Sequence, residues 1–318
     1  VNLMDISVSN FPQGKNSIQV LDCSNFNIHG IKNANFDQIE ELLNITDIRI
    51  IKFFKNLKKI TFHKIFNNEI KIDDFGESYT KIIFLQFGQY TGNTYESLYN
   101  HKFAENILPP NLTHLIVGSN YNKIFDRGVL PKNLKYLKLG ECYDQEFGYG
   151  VLPQSLETFI CGCSFTQEFK PSILPQHLNK IRLGNYIAKV HIGTFPDSLR
   201  KCIIKNGFNQ SIKDIFPENL EYLDVGNSFD HMLLPNELPP NLKKFKIGDK
   251  YNFPIDKYVL NEGLIELKIG NNFNHFIRNE ILPTSLRSIK LGLAYDKNVE
   301  LDNTNIKICI LPNFFNIL

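Results

Sequence analysis

The fold is decided by the stretch Leu238-Pro239-Pro240-Asn241-Leu242-Lys243-Lys244-Phe245-Lys246-Ile247-Gly248-Asp249-Lys250-Tyr251-Asn252-Phe253-Pro254-Ile255, which recurs along the chain. The apolar residue that opens each copy occurs nine times, in steps of 21 or 22 residues. These opening residues are Leu108, Leu130, Leu152, Leu174, Phe195, Phe216, Leu238, Leu260 and Leu282. A period near 22 residues that persists over nine copies indicates a solenoid, in which stacked units share one elongated core.

The copies follow the pattern Leu-Pro-x-x-Leu-x-x-Leu-x-Leu-Gly, with proline in eight of the nine and other apolar residues at some of the Leu positions. Its last two apolar positions are two residues apart, so they point to the same side of a short strand. One strand per copy, always entering in the same direction, predicts a parallel sheet. The recurrent proline excludes a regular helix from the rest of the copy and favours extended or 3₁₀ segments there.

An aromatic residue follows in every copy, and stacking along the axis would make a continuous column of rings. The next residue is Asn or Asp in seven of the nine copies. A short amide or carboxyl side chain can bond the backbone groups that a turning coil leaves unpaired. This predicted structural ladder consists of Asn122, Asp144, Asn209, Asp230, Asn252, Asn274 and Asp296.

The pattern divides the chain into three parts. Residues 107–298 hold the nine regular copies, and we interpret residues 1–106 as an N-terminal cap of divergent repeats and residues 299–318 as a C-terminal cap with a final strand at 306–310. Within the N-terminal part, residues 35–43 have the apolar spacing of a helix with Asn35 as its cap. The polar segment Gln89 to Asn106 predicts an exposed loop.

Two local expectations concern the turn after each strand. The glycine that ends the strand suits a tight turn with positive φ. The fourth and fifth copies are irregular, because Asn185-Tyr186 comes one residue early and Lys205-Asn206-Gly207 displaces the glycine. We therefore expect the solenoid to bend or loosen at these copies.

The run Leu-Pro-x-x-Leu-x-x-Leu-x-Leu-Gly, followed by Phe208-Asn209-Gln210-Ser211-Ile212 or Tyr251-Asn252-Phe253-Pro254-Ile255, resembles the FNIP repeat. That family is similar to short leucine-rich repeats and is known from social amoebae and from giant viruses that infect amoebae. The predicted fold is therefore a leucine-rich-repeat-like solenoid with about nine regular repeats of 22 residues plus caps. Its parallel sheet would form the concave face, and extended or 3₁₀ segments the convex face.

The resemblance also bears on function. Members often carry an N-terminal F-box, which would make them substrate adaptors of a ubiquitin ligase. The Leu-Pro start of an F-box is missing from residues 1–60, so substrate recognition for a ligase is the least favoured function.

Nothing in the sequence predicts catalysis, a cofactor or a metal site. The eight histidines and six cysteines have no spacing typical of metal ligands, and no nucleotide-binding or nucleophile motif occurs. No apolar run is long enough to span a membrane, and no signal peptide pattern begins the chain. We therefore expect a non-catalytic protein of the cytoplasm, in a host cell if the gene is viral.

The strand positions that point away from the core are rich in basic residues, although the whole chain has a formal net charge of only +2. A concave basic face would attract an acidic protein partner; the alternative is that the lysines only keep the sheet soluble. Nucleic acid is disfavoured because few aromatic residues are interleaved. The rival function is that of a structural or assembly component, for example of a viral particle, and the oligomeric state is open. The predicted partner-binding residues are Lys138, Lys180, Arg182, Lys201, Lys244, Lys246, Lys268 and Lys290.

Overall fold

The computed structural model describes residues 19–24, 36–92, 94–297 and 306–310. The chain forms two compact units, Val1–Leu156 and Glu157–Leu318, called unit 1 and unit 2 below. In the described part of unit 1, six strands pair in parallel and two form an antiparallel hairpin. The parallel strands are β1 (Val20–Asp22), β2 (Glu41–Ile45), β3 (Lys59–Phe62), β4 (Phe84–Phe87), β7 (His114–Ile116) and β8 (Tyr136–Lys138), and the hairpin strands are β5 (Gln89–Tyr90) and β6 (Tyr95–Glu96).

In the described part of unit 2, eight strands pair in parallel, each with the next along the chain. They are β9 (Thr158–Ile160), β10 (Lys180–Asn185), β11 (Lys201–Asn206), β12 (Tyr222–Asp224), β13 (Lys244–Ile247), β14 (Glu266–Ile269), β15 (Ser288–Leu291) and β16 (Lys307–Ile310). From β9 to β15, successive strands begin 21 or 22 residues apart, so each sequence copy adds one turn of a parallel β-solenoid. The predicted leucine-rich-repeat-like fold is confirmed.

The segments between strands are turns, extended chain and short 3₁₀ helices, as the recurrent prolines predict. The 3₁₀ helices in the described residues are Ile48–Phe53, Ile72–Ser78, which is interrupted at Gly76, and Asn279–Ile281. No α-helix occurs within the described ranges.

The core consists of stacked columns, one residue per turn. Apolar positions such as Leu242 are fully buried. The rings of Tyr121 and Tyr143 lie 6.2 Å apart and nearly parallel in unit 1, as do those of Phe273 and Tyr295, 6.1 Å apart, in unit 2. Each stacked pair adds about 0.5–1.5 kcal/mol beyond the burial of its area, which favours a regular step between turns.

The helix predicted over residues 35–43 is wrong, since part of this segment forms β2. Ile39, Leu42 and Ile45 are all fully buried. Their spacing of three residues fits a helix face and equally a solenoid turn, and parallel pairing with β1 and β3 decides for the strand. Asn35, the predicted cap, lies outside the described residues.

The segment Gln89 to Asn106, predicted to be an exposed loop, is more ordered than that. It begins with the β5–β6 hairpin and continues into buried Tyr99 and Phe103. The Tyr99 ring stacks on Tyr121 at 6.2 Å, so the aromatic column starts one copy earlier than the sequence pattern indicated.

The glycine after each strand is required mostly by close packing. A Cβ on Gly140 would lie 1.9 Å from the carbonyl oxygen of Gly118, and one on Gly184 would lie 2.3 Å from that of Gly162. The backbone of the preceding turn therefore leaves no room for a side chain. Gly226, with φ of 76°, is a position where the predicted positive φ is found.

The fourth and fifth copies hold the longest strands of the sheets in the described residues, contrary to the predicted loosening. Strands β10 and β11 are six residues each and pair from Lys180↔Lys201 to Asn185↔Asn206. Because the glycine of β11 is displaced to Gly207, Lys205 and Asn206 continue the strand where other copies already turn. At the C-terminus, the predicted final strand is β16, and the interpretation of both ends as caps stays a prediction.

Candidate interaction surface

The candidate site is the side of the unit 2 sheet that faces away from the core. Alternate side chains of a strand point to opposite faces, and parallel pairing aligns them into rows across the strands. We call the positions of β9–β15 that point away from the core the outward sheet face of unit 2. Its two rows are Thr158, Lys180, Lys201, Tyr222, Lys244, Glu266 and Ser288, and Ile160, Arg182, Ile203, Asp224, Lys246, Lys268 and Lys290.

Three adjoining cations of this face have no carboxylate partner among the residues that the structure describes. Lys180 lies beside Lys201 in register, and Arg182 lies two residues farther along β10. All three are half-buried, and no carboxylate oxygen of the described residues lies within 4.0 Å of their nitrogens. Burial, followed by repulsion from Lys201 and Arg182, lowers the pKa of Lys180. We call Lys180, Arg182 and Lys201 the β10–β11 cation cluster.

On β12 and β13 the charge is compensated. The Lys246 ammonium lies 2.8 Å from a carboxylate oxygen of Asp224, which is only 5% exposed. The other Asp224 oxygen accepts a hydrogen bond of 3.0 Å from the backbone N–H of Gly226. Asp224 therefore holds a neighbouring lysine and the turn after its own strand.

On β13–β15 a second carboxylate bridges two lysines. Glu266 accepts from Lys290, and its other oxygen lies 3.3 Å from the Lys244 ammonium. The hydrogen bond from Lys290, with a further one from Lys244, lowers the pKa of Glu266. Lys268 sits between β13 and β15, where burial, followed by repulsion from Lys246, lowers its pKa. The predicted basic residues of unit 2 thus differ in how far their charge is neutralised.

The eighth predicted residue, Lys138, lies in unit 1 and has a partner within its own chain. Its ammonium is 4.1 Å from the ring centroid of Tyr95, on the β5–β6 hairpin. The hairpin is anchored by the N–H of Ser119, which donates to the Tyr95 carbonyl at 2.8 Å, and by an ion pair of 3.1 Å between Lys64 and Glu96. The sequence pattern could not place Tyr95 there, because the hairpin interrupts the repeat.

The neighbouring outward positions of unit 1 are aromatic. Phe84, His114 and Tyr136 are aligned across β4, β7 and β8. The rings of His114 and Tyr136 stack at 5.5 Å, and those of Phe84 and His114 lie 6.1 Å apart. The sequence pattern indicated only that interleaved aromatic residues are few, and their alignment into a row follows from the strand register.

The predicted Asn/Asp ladder joins successive turns through backbone donors. The side-chain oxygen of Asn122 accepts the N–H of Asp144 at 3.0 Å, and that of Asn252 accepts the N–H of Asn274 at 3.1 Å. Asn209 does the same for Asp230 at 2.8 Å, and Asn274 for Asp296 at 3.2 Å.

The sequence-based prediction missed Asn100 and a second ladder. Asn100 accepts the N–H of Asn122 at 2.9 Å and so begins the ladder. A second ladder follows the strand-ending glycines, where Asp249 accepts the N–H of Asn271 at 3.0 Å and Asn271 accepts that of Leu293 at 3.2 Å. A polar residue directly after the glycine was the available signal.

In the part of the chain that the structure describes, no group of three or more His, Cys, Asp or Glu residues could hold a metal ion. None of the helices in these ranges is long and apolar enough to cross a membrane.

Fold and surface together define a solenoid repeat protein. The model of the FNIP Repeat matches residues 99–142, 143–186, 189–228, 208–250 and 251–294, and the chain belongs to the FNIP repeat family. The first match begins at Tyr99, the residue whose ring extends the aromatic column beyond Tyr121.

A curated relative is the FNIP repeat-containing protein L162 of Acanthamoeba polyphaga mimivirus, 32% identical over 79 residues. The match spans 25% of this chain and 15% of the relative. Among solved structures, CroV588, described as a circular LRR protein, superposes with a TM-score of 0.57 at 23% identity. That match covers 84% of this chain and 46% of CroV588, and it supports the fold alone.

Proposed function

We propose that this chain is a non-catalytic scaffold that binds another protein through the outward sheet face of unit 2. The family and the fold support the proposal, because solenoids present extended surfaces suited to binding. The observation that carries it is the charge of the face, with seven basic and two acidic residues in a chain of net charge +2. Such a face attracts an acidic partner and accelerates its capture.

We expect the basic residues of this face to contribute unequally to partner binding. Among the described residues, Lys180, Arg182 and Lys201 have no carboxylate within 4.0 Å, whereas Lys244, Lys246 and Lys290 already contact carboxylates. Lysine dominates the face, which suits diffuse attraction, while the single arginine can form bidentate contacts. We therefore expect the partner to approach the whole face and to be held chiefly at β10 and β11.

The experiment is site-specific photo-cross-linking in a nuclease-treated amoebal lysate. A cross-linking amino acid replaces Thr158 or Ser288 on the outward sheet face, or Lys213 or Lys250 at exposed positions off it. We expect an acidic protein to cross-link from the first pair only. Equal cross-linking from both pairs would contradict the proposal.

The rival function is that of a structural or assembly component, for example of a viral particle. It stays open because a relative of this chain comes from a giant virus. Cross-links to a second copy of this chain, without another protein, would favour that role. The cytoplasm of the host is the proposed location, and imaging of the tagged chain in infected amoebae tests it. Substrate recognition for a ubiquitin ligase stays a prediction.

A further inference from the structure

The β10–β11 cation cluster places three positive charges within reach of one ligand group. Neighbouring strands are about 4.8 Å apart, and alternate residues of a strand about 7 Å. Lys180 and Lys201 are direct partners in register, and Arg182 is the next residue on the same face of β10. The long side chains of all three can therefore converge on one point.

Within the described ranges, no carboxylate of the surroundings lies within 4.0 Å of the nitrogens of the cluster. Thr158 and Ile160 of β9 lie beside Lys180 and Arg182, and Ile203 lies beside Arg182 on the other side. Tyr222 lies beside Lys201, and the Lys201 ammonium lies over the Tyr222 ring, 4.4 Å from its centroid. Asp224, the nearest acidic position in the rows, is held by Lys246 and by the backbone N–H of Gly226.

The pairing of β10 with β11 thus keeps three mutually repelling positive charges close together. The three charges are half-buried, and the lowered pKa of Lys180 reflects both the burial and its two cationic neighbours. A bound anion would remove this repulsion, and the more charge it carried the more it would remove. A single carboxylate would leave two charges uncompensated.

We propose that the cluster binds a phosphorylated side chain of the protein partner, a proposal that rests on the proposed function. A phosphate monoester carries about −1.5 to −2 charges and three acceptor oxygens. Arg182 takes two of these oxygens with its planar guanidinium, and the ammonium groups of Lys180 and Lys201 contact the remaining negative charge. Ile160 and Ile203, on either side of Arg182, supply apolar contacts for the residue next to the phosphate.

The test uses fluorescence anisotropy on the full chain with short labelled peptides of one sequence. Their central residue is phosphothreonine, threonine or glutamate. The variant K180Q/R182Q/K201Q removes the cluster, and K189Q/K213Q/K250Q, at exposed positions off the face, removes the same charge elsewhere. We expect the phosphopeptide to bind wild type and the control variant about tenfold or more tightly than it binds the cluster variant. Wild type should bind either unphosphorylated peptide weaker than the phosphopeptide by the same factor.

The single variant R182K keeps the charge but loses the bidentate contact, so we expect its affinity for the phosphopeptide to fall severalfold. Its thermal unfolding should stay unchanged. Equal affinity of wild type and cluster variant, or of the phosphothreonine and glutamate peptides, would overturn the phosphate assignment. If cross-links from Thr158 and Ser288 then persist after phosphatase treatment of the lysate, partner binding by the face stands without phosphate. Loss of face-specific cross-links would instead count against the proposed function itself.

Discussion

The outward positions of the two units differ although both units repeat the same core. In unit 1, Phe84, His114 and Tyr136 form an aromatic row, and Lys138 stacks on a tyrosine of the hairpin. In unit 2, the corresponding rows are dominated by lysines. The comparison teaches that the repeat fixes the buried columns and leaves two positions per strand free to vary. If the proposed function holds, those two positions decide whether a strand serves the chain itself or a partner.

A second difference lies within unit 2. Asp224 and Glu266 neutralise neighbouring lysines on β13–β15, whereas the described part of the chain places no carboxylate against the β10–β11 cation cluster. Counting basic residues therefore overstates the net charge that one half of the face presents. Four substitutions, ordered by expected effect, test these contrasts.

The largest effect is expected from Gly118→Ala, which would break the hairpin contact of unit 1. The new Cβ would lie 2.0 Å from the Ser97 Cβ and 2.9 Å from the Phe87 carbonyl oxygen. Overpacking of this severity costs about 3 kcal/mol, measured as a lower free energy of unfolding in urea. The double variant G118A/S97G should recover part of the loss, because the nearest clash is gone. No recovery would mean that the hairpin does not cause the constraint.

Asp224→Ala should cost about 2 kcal/mol in unit 2. It leaves the Lys246 ammonium without this carboxylate and removes the acceptor for the Gly226 N–H. Asp224→Asn is the matched control, since it keeps an acceptor oxygen but loses the charge, and its cost should be intermediate. The reference is Asp230→Ala, an exposed aspartate whose ladder contact is made by its backbone N–H and survives the substitution. A cost for Asp224→Ala no larger than that of Asp230→Ala would show that the ion pair with Lys246 does not stabilise the fold.

A smaller loss in the free energy of unfolding, about 1 kcal/mol, is expected from breaking the contact between Lys138 and Tyr95 in unit 1. Tyr95→Leu keeps apolar bulk but removes the cation–π contact with Lys138. The cycle with Lys138→Gln isolates the coupling between the two side chains. Zero coupling in thermal or urea unfolding would leave Lys138 available to a partner, and the contrast between the units would weaken.

The sequence predicted the buried architecture because its period is long and nearly uninterrupted. Leu242, Phe245 and Ile247 recur in register with their equivalents, and that periodicity alone requires a solenoid with parallel strands. The segment around Ile39 and Leu42 was misassigned, since a spacing of three residues does not separate a helix from a solenoid turn.

The candidate site was predictable only as a set of positions. The outward alternation placed seven of the predicted basic residues on one face of unit 2. Their ion pairs depend on which residue of the next strand lies opposite, a matter of register that the steps of 21 and 22 residues left open. The contact of Lys138 depends on a hairpin outside the repeat, where periodicity carries no information.

The smallest effect is expected at Lys180, and its sign is opposite to that at Asp224. The folded state lowers the pKa of Lys180, so its charged form is disfavoured by folding. Lys180→Gln should therefore raise the free energy of unfolding at neutral pH, by no more than about 0.5 kcal/mol given solvent screening. This gain is fully present below the folded pKa and should vanish as pH rises through the unfolded value of about 10.4, where wild type also loses the charge. Urea titrations of both proteins at pH values on either side of that point measure it. A lysine that stabilised the fold would give the reverse sign, and the cluster could not then be a site whose repulsion an anion relieves.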